Sequence, residues 1–135
     1  MTDIINAAYM GLTGSLAVAE DDYTTAVTSC ALVPSAPTAS VTDIGGGVQQ
    51  FVGKNVWQAQ VGYNQDWTTP GSFSQQLIAW HGQTKEFTYT PEDGGRIATF
   101  TARVIAGQFG GAAGAIHQAN VNLLVIGQPS FTGPA

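Results

Sequence analysis

Residues 56–63 read Val56-Trp57-Gln58-Ala59-Gln60-Val61-Gly62-Tyr63. Trp57, Ala59, Val61 and Tyr63 fall on one face of an extended chain, and Val56, Gln58, Gln60 and Gly62 fall on the other. That period of two is the mark of a strand with one buried side. The polar side carries glutamines, neutral groups that hydrogen-bond and suit solvent, a wetted channel wall or a subunit contact equally.

Downstream, Asn64 to Gly71 forms a polar turn, and Ser72-Phe73-Ser74-Gln75 has the spacing of a capping box, which predicts a helix over 72–81. Phe73, Leu77 and Trp80 then make one apolar stripe, and Gly82 supplies a left-handed stop. Phe87 to Thr90 reads as a strand, and Pro91-Glu92-Asp93-Gly94-Gly95 has the chemistry of a hairpin turn. In the return strand Ala98, Phe100, Ala102 and Val104 share one face, with Phe100 as anchor, while Thr99, Thr101 and Arg103 lie on the other. A flexible Gly107–Gly114 connection leads to a last strand, Ile116 to Gly127, in which Val121, Leu123 and Val125 alternate with Asn120, Asn122, Leu124 and Ile126. Both faces become apolar near its end, which points to burial on one side and a subunit contact on the other.

Upstream the pattern is weaker. Thr24 to Val33 is rich in Thr, Val and Ala and reads as a strand closed by Pro34. Ser35 to Gln50, with Pro37 and Gly45-Gly46-Gly47, reads as a long extended loop or a weak hairpin of the kind that carries function or meets a partner. Residues 1–22 hold Ile4, Ile5, Tyr9, Met10 and Leu12 among glycines that weaken a helix. They form either an arm that docks on a neighbour or a strand folded onto their own core. The expected organisation is one domain over 1–135, with an arm (1–22), a long loop (34–50) and a core (51–135) built on Trp57, Val61, Phe73, Leu77, Trp80, Phe100 and Leu123.

A chain of 135 residues is long enough to bury roughly two-thirds of its unfolded surface in one core. Charged residues are only 10% against 44% hydrophobic, so a monomer would present a large neutral surface, the kind that subunit interfaces favour at their centres. Nine acidic residues outnumber four basic ones, for a net charge of −5. Lys54, Lys85, Arg96 and Arg103 stand apart in the sequence, without the clustering that phosphate contacts need. The single cysteine, Cys30, lies in the apolar run Cys30-Ala31-Leu32-Val33 and reads as a small core hydrophobe. No segment approaches the ~20 apolar residues of a membrane span, and Asp3 stands where a signal peptide would be basic. A soluble, intracellularly made protein is expected, with no membrane partner.

Nothing in the chain spells out chemistry. His81, His117 and Cys30 lack zinc spacing, and His81 suits a helix C-terminus. Gly45-Gly46-Gly47 and Gly110-Gly111 do not lead into a helix as a phosphate cradle does. Glu92 and Asp93 are adjacent turn acids, not carboxylates facing each other across a cleft. The expectation is no enzyme, no metal and no cofactor.

The ordered string Trp57-x-Ala59-x-Val61-x-Tyr63, Gln65-Asp66-Trp67, a helix with Leu77 and Trp80, Phe87 to Pro91, the Gly94-Gly95 return, a Gly-rich loop and Ala119-Asn120-Val121-x-Leu123-x-Val125-x-Gly127-Gln128-Pro129-Ser130-Phe131 resembles the major tail tube proteins of long, non-contractile-tailed bacteriophages, those of actinobacterial phages in particular. The likeness is carried by residues 57–131, most specifically by the closing Gly-x-Pro-Ser-hydrophobe stretch. It implies a mainly β protein, a β-sandwich or flattened barrel with one flanking helix. Such a protein assembles into a hexameric ring with a shared inner β-barrel. Rings stack into a hollow virion tail, assembled in the bacterial host cytoplasm, through which DNA passes without specific binding. The resemblance further implies a tape-measure protein, a tail terminator and tail-tip proteins as partners. Carried to this chain, it places Gln58, Gln60, Thr99, Thr101 and Arg103 on the lumen. Inter-subunit or inter-ring contacts fall to Ile4, Ile5, Tyr9 and Met10, to Asp43 and Ile44 in the loop, and to Gln128 and Phe131 in the tail after Gln128. The alternatives are a capsid decoration or other virion structural protein, and a sugar-binding β-sandwich using Trp57, Trp67 and Trp80 as stacking platforms.

Overall fold

The computed structural model describes residues 2–6 and 8–133. In chain order the elements are β1 (Ser15–Val18), β2 (Asp21–Asp22), β3 (Val27–Ser35), β4 (Thr38–Thr42), β5 (Val48–Val52), β6 (Val56–Asn64), α1 (Phe73–Ala79), β7 (Thr84–Thr90), β8 (Ile97–Arg103) and β9 (Gln118–Thr132). Seven strands form one antiparallel sheet in the order β2-β1-β7-β8-β9-β6-β3, and β4 and β5 form a separate two-stranded hairpin. The result is mainly β, sandwich-like, with one helix.

Strand β9 joins the two wings of the sheet. Its first half pairs with β6, from Asn64↔Gln118 to Gln58↔Leu124. Its second half pairs with β8, from Arg103↔Leu124 to Ile97↔Thr132. Alternate residues of both wings meet in one core: Ala59, Val61 and Tyr63 from β6, Ala119, Val121, Leu123 and Val125 from β9, Phe100 and Ala102 from β8, Phe87 from β7, and Leu16 and Val18 from β1. Phe87 stacks on its cross-strand partner Phe100 with centroids 5.4 Å apart. Full burial of side chains of this size contributes roughly 1.5–3 kcal/mol each.

Helix α1 covers the core face of the sheet with Phe73 and Leu77, and Phe73 packs edge-on against Tyr63 at 5.2 Å and tilted against Tyr23 at 5.4 Å. The helix is shorter than the 72–81 read from the sequence, and the capping box does not form. Ser72 makes no side-chain cap bond. Its Oγ donates instead to the Asp66 carbonyl at 2.6 Å, because the preceding turn is built around Asp66. One carboxylate oxygen of Asp66 accepts from the backbone N–H of Thr68 (3.0 Å) and Thr69 (3.2 Å) and from the Thr68 hydroxyl (3.1 Å).

Several sequence-level boundaries move. Within 1–22 the strand alternative holds from Ser15 onward, where β1 begins and Leu16 and Val18 join Tyr23 in the core; apolar residues at every second position in 15–18 outweigh the neighbouring glycines. The first long strand runs through Pro34 to Ser35. Pro34 is tolerated because β3 is a sheet edge, where a missing N–H leaves no ladder bond unmade. Of the two readings of the 34–50 segment the hairpin is the one found, β4–β5, and it reaches Val52, so Phe51 and Val52 leave the core that was to start at 51. The last strand continues past Gly127 to Thr132, and residues 129–132 are therefore part of a sheet strand, not a tail. Trp57 and Trp80 lie at the rim of the core, half-buried, whereas Val61, Phe73, Leu77, Phe100 and Leu123 lie inside it.

The Gly107 loop comes close against the core. A methyl group on Gly107 would run into the Tyr63 hydroxyl, with Tyr63 Cζ at 3.0 Å, and that hydroxyl is buried without a hydrogen-bond partner. Tyr63→Phe is accordingly expected to leave stability unchanged or to raise it. Gly107→Ala should cost about 3 kcal/mol by overpacking. In the Tyr63→Phe background that cost should fall, and a chemical-denaturation double-mutant cycle reads the difference. The Asp66 carboxyl, held down at about 2 from an ordinary 3.8 by hydrogen bonds from the Thr69 side chain and the Thr68 and Thr69 backbone, gives a pH signature. Its folded value lies below the unfolded one, so its contribution to stability is complete above about pH 4 and is lost as the pH falls toward 2. Carboxylate NMR titration should find Asp66 at the low end, and Asp66→Asn should flatten the acid limb of the stability profile.

Candidate assembly surface

The faces of β6, β9 and β8 turned away from the core form one continuous surface. Cross-strand rows run Val33–Gln58–Leu124–Arg103–Thr84 and Ala31–Gln60–Asn122. Gln58 and Arg103 thus flank Leu124 on either side, and Thr101 sits between Ile126 and Glu86. Gln58, Gln60, Thr101 and Arg103 are exposed, and Thr99, at the other end of β8 opposite Ser130, is half-exposed. The five residues assigned to a lumen therefore share one face, with Thr99 furthest from the glutamines.

That face is almost free of charge. Among the outward residues of β6, β8 and β9 the charged side chain is Arg103, and its guanidinium is turned aside to donate to the Gly82 carbonyl at 3.0 Å. Amides and hydroxyls alternate with Leu124 and Ile126, both about half exposed. Ser29 and Asn120 close over Gly62, where a side chain would meet the Ser29 hydroxyl at 2.5 Å, and with Gln60 and Asn122 they line a shallow hollow of about 190 Å³.

A second bare surface is the β4–β5 hairpin, every residue of which is exposed. Opposite residues share a face, so Ala39, Val41, Phe51 and Gln49 lie on one side, and Thr38, Val52, Ser40, Gln50, Thr42 and Val48 on the other. Asp43 is exposed and is tied into the tip. Its carboxylate accepts from the Gly47 N–H at 2.8 Å and its backbone closes the tip, which leaves Ile44 fully exposed at the summit. An isolated two-stranded hairpin is marginal in water, and one with this much apolar exposure marks a contact surface. Val41, Val48, Phe51 and Val52 were missed in the sequence; the signal was there in two runs of strand formers on either side of Asp43–Gly47.

Ile4, Ile5 and Met10 are exposed and in no strand, and Tyr9 is half exposed. Tyr9 and Leu12 line a cleft of about 310 Å³ with Leu16, Cys30 and Tyr89, where β1 approaches β3. Gln128 and Phe131 are exposed, but each is also engaged within the chain: Phe131 packs against Trp57 at 5.9 Å, and Gln128 bonds to Trp57 and Asn55. Each tryptophan is likewise occupied. Trp57 donates to Gln128, Trp67 lies on Phe109 at 4.6 Å and donates to Gln65 at 2.9 Å, and Trp80 stands under Lys85 and beside Tyr23. Gln65 also holds the Gly-rich loop, accepting from Gly110 N–H at 2.9 Å and donating to its carbonyl at 3.1 Å. Among the described residues no group of three or more His, Cys, Asp or Glu side chains is placed to hold a metal ion. His81 accepts the Ala106 N–H at 2.9 Å on Nδ1, and His117 Nε2 meets the Ala112 carbonyl; the two hold different points of the connection between β8 and β9.

No protein family and no curated protein matches the chain in sequence. In fold it is similar to a chain in the tail of an empty gene transfer agent (GTA) particle of C6 symmetry, with a TM-score of 0.70 and 18% identity over 93% of this chain and 100% of that one. It is similar in the same degree, 0.70 at 16% identity over 93% and 100%, to a chain from the virion of the native gene transfer agent particle. A chain from the sheath/tube terminator of an extracellular contractile injection system (PVC) in its extended state matches at 0.61, with 12% identity over 96% and 100%. At these identities the likeness is one of fold: the chain has the architecture found in components of phage-like tails.

Burial pushes the Cys30 thiol up to about 12. The native protein should therefore resist alkylation at pH 8 on a timescale at which the denatured chain reacts fully, a difference that mass spectrometry of iodoacetamide-treated samples measures.

Proposed function

We propose that this protein is a structural component of a phage-like tail and acts without catalysis. More narrowly, we read it as the tail tube subunit of a long, non-contractile tail, with six copies closing a ring and rings stacking into a hollow conduit for DNA ejection into the host. The observation that carries this reading is the full-length likeness in fold to a chain of a six-fold symmetric tail.

The surfaces support it. A ring that continues the sheet of each copy into the next removes the free edges that β3 and the two-residue β2 present in a lone chain. The face carrying Gln58, Gln60, Asn122, Thr101 and Thr99 becomes the inner wall. Such a wall carries one cation per copy among the described residues of β6, β8 and β9, Arg103, whose guanidinium donates to the Gly82 carbonyl, and so few positive groups give little of the counterion release that drives non-specific binding. The protein's net charge of −5 adds repulsion, not grip. The hairpin with Ile44 at its tip and the arm with Ile4, Ile5, Tyr9 and Met10 bridge to neighbours, and head-to-tail stacking of this kind grows without limit unless something stops it. A tape-measure protein, a terminator and tail-tip proteins fill that need. The site of action is the virion tail, and assembly takes place in the host cytoplasm.

Negative-stain microscopy of the purified full-length protein should show hollow tubes or six-fold rings; a monomer that persists at high concentration overturns the proposal. Deleting residues 1–12 should leave the circular dichroism spectrum and thermal midpoint unchanged while lowering tube yield, because these residues precede the first strand. Undiminished tube formation removes the arm from the stacking contact.

A further inference from the structure

The stretch Gly127-Gln128-Pro129-Ser130-Phe131 is placed where β9 departs from its ladder. Thr101 pairs with Ile126 and Thr99 with Ser130, so Gly127, Gln128 and Pro129 together stand opposite Phe100. Gly127 takes a left-handed φ of +75°, a conformation that other residues adopt only under strain. Pro129, which has no N–H to leave unpaired, is the buried member of the bulge. Gln128 is thereby thrown out of the sheet.

Its amide meets a specific target. Gln128 Oε1 accepts from Trp57 Nε1 at 2.9 Å, and Gln128 Nε2 donates to the Asn55 carbonyl at 2.9 Å. Asn55 belongs to the hinge of the projecting hairpin. The β3–β6 ladder ends at Ser35↔Val56 and the β4–β5 ladder begins at Thr38↔Val52. Between them lie Ala36-Pro37 on one leg and Gly53-Lys54-Asn55 on the other, tied to each other by the Gly53 N–H to Pro37 carbonyl bond at 2.8 Å. The hairpin is therefore a lever continuing the β3–β6 ribbon across a short break with one extra residue on the return leg. Gln128, reaching from β9, fixes that break to the sheet, and Trp57 braced on Phe131 holds Gln128 in place.

We propose that Gln128 is a positioning residue that sets the angle of the β4–β5 hairpin on the sheet. For its consequence in assembly, the alignment of the hairpin with a neighbouring ring, this rests on the tail tube reading; the hinge itself does not. Lys54 lies in the break and makes it a natural trypsin site, cut into residues 1–54 and 55–135. In the full-length protein, Gln128→Ala should accelerate cleavage after Lys54 about fivefold, the population change given by one ordinary hydrogen bond when proteolysis follows local opening. Gln128→Glu keeps an acceptor for Trp57 Nε1 but sets a carboxylate against the Asn55 carbonyl, and should accelerate the same cut. Cleavage after Lys85 and Arg103, inside the sheet, should stay at the wild-type rate in both. Unchanged cleavage after Lys54 in the two variants overturns the proposal, as does equal acceleration at every site. Microscopy of the same samples separates the two readings: a wild type that forms no rings or tubes removes the assembly role, while the Lys54 rates still decide the hinge.

Discussion

Strand β9 is the constraint on which the rest depends. It alone pairs with both wings of the sheet, meeting β6 through its first half and β8 through its second. Its alternation must place Ala119, Val121, Leu123 and Val125 in the core on behalf of both. A slip of one residue would turn that set outward and bring Asn120, Asn122 and Leu124 inside, with unpaired amides buried at a cost of some 1–3 kcal/mol each. The register is therefore fixed by the core, and the composition of the opposite face follows without further choice. Leu124, at the handover between wings, sits at the centre of the amide-rich surface because Leu123 is at the centre of the core.

The distribution of polar groups follows from this division. Six of the nine acidic residues occupy turns and the N-terminal segment, at Asp3, Glu20, Asp43, Asp66, Glu92 and Asp93, while Asp21 and Asp22 form the edge strand β2 and Glu86 lies in β7; several of the six are used locally, Asp66 organising the turn before α1 and Asp43 closing the hairpin tip. The broad strands carry amides, hydroxyls and exposed aliphatics. A lone chain with this surface is incompletely satisfied, with free sheet edges, an apolar hairpin and an apolar arm. The three deficits are of the kind that association with further copies removes together.

Tertiary placement reassigned some residues that looked alike in the sequence. Ile44 and Phe131 are both apolar residues beside glycine-containing turns, yet one stands in solvent and the other rests on Trp57. Gln58, Gln65 and Gln128 are three glutamines near aromatic residues. Gln58 faces outward, Gln65 holds the Gly-rich loop, and Gln128 holds the hairpin hinge. The capping box failed for a related reason: the Ser72 hydroxyl donates to the Asp66 carbonyl of the preceding turn and makes no cap bond with the N–H donors of its own helix.

What the sequence by itself determined is the class of fold and the inner and outer faces of its clear strands, because a two-residue period assigns sides without reference to any partner. The helix, with Phe73 and Leu77 inward, was legible on the same ground, as was the shortage of charge. Only the tertiary structure decided that Pro34 lies in a ladder, that residues 38–52 pair with each other and with nothing else, and that Gln128 reaches Asn55 across 73 positions of chain. Such contacts depend on which strands the topology makes neighbours and on where a bulge aims a side chain, and neither is written in the local alternation of residues.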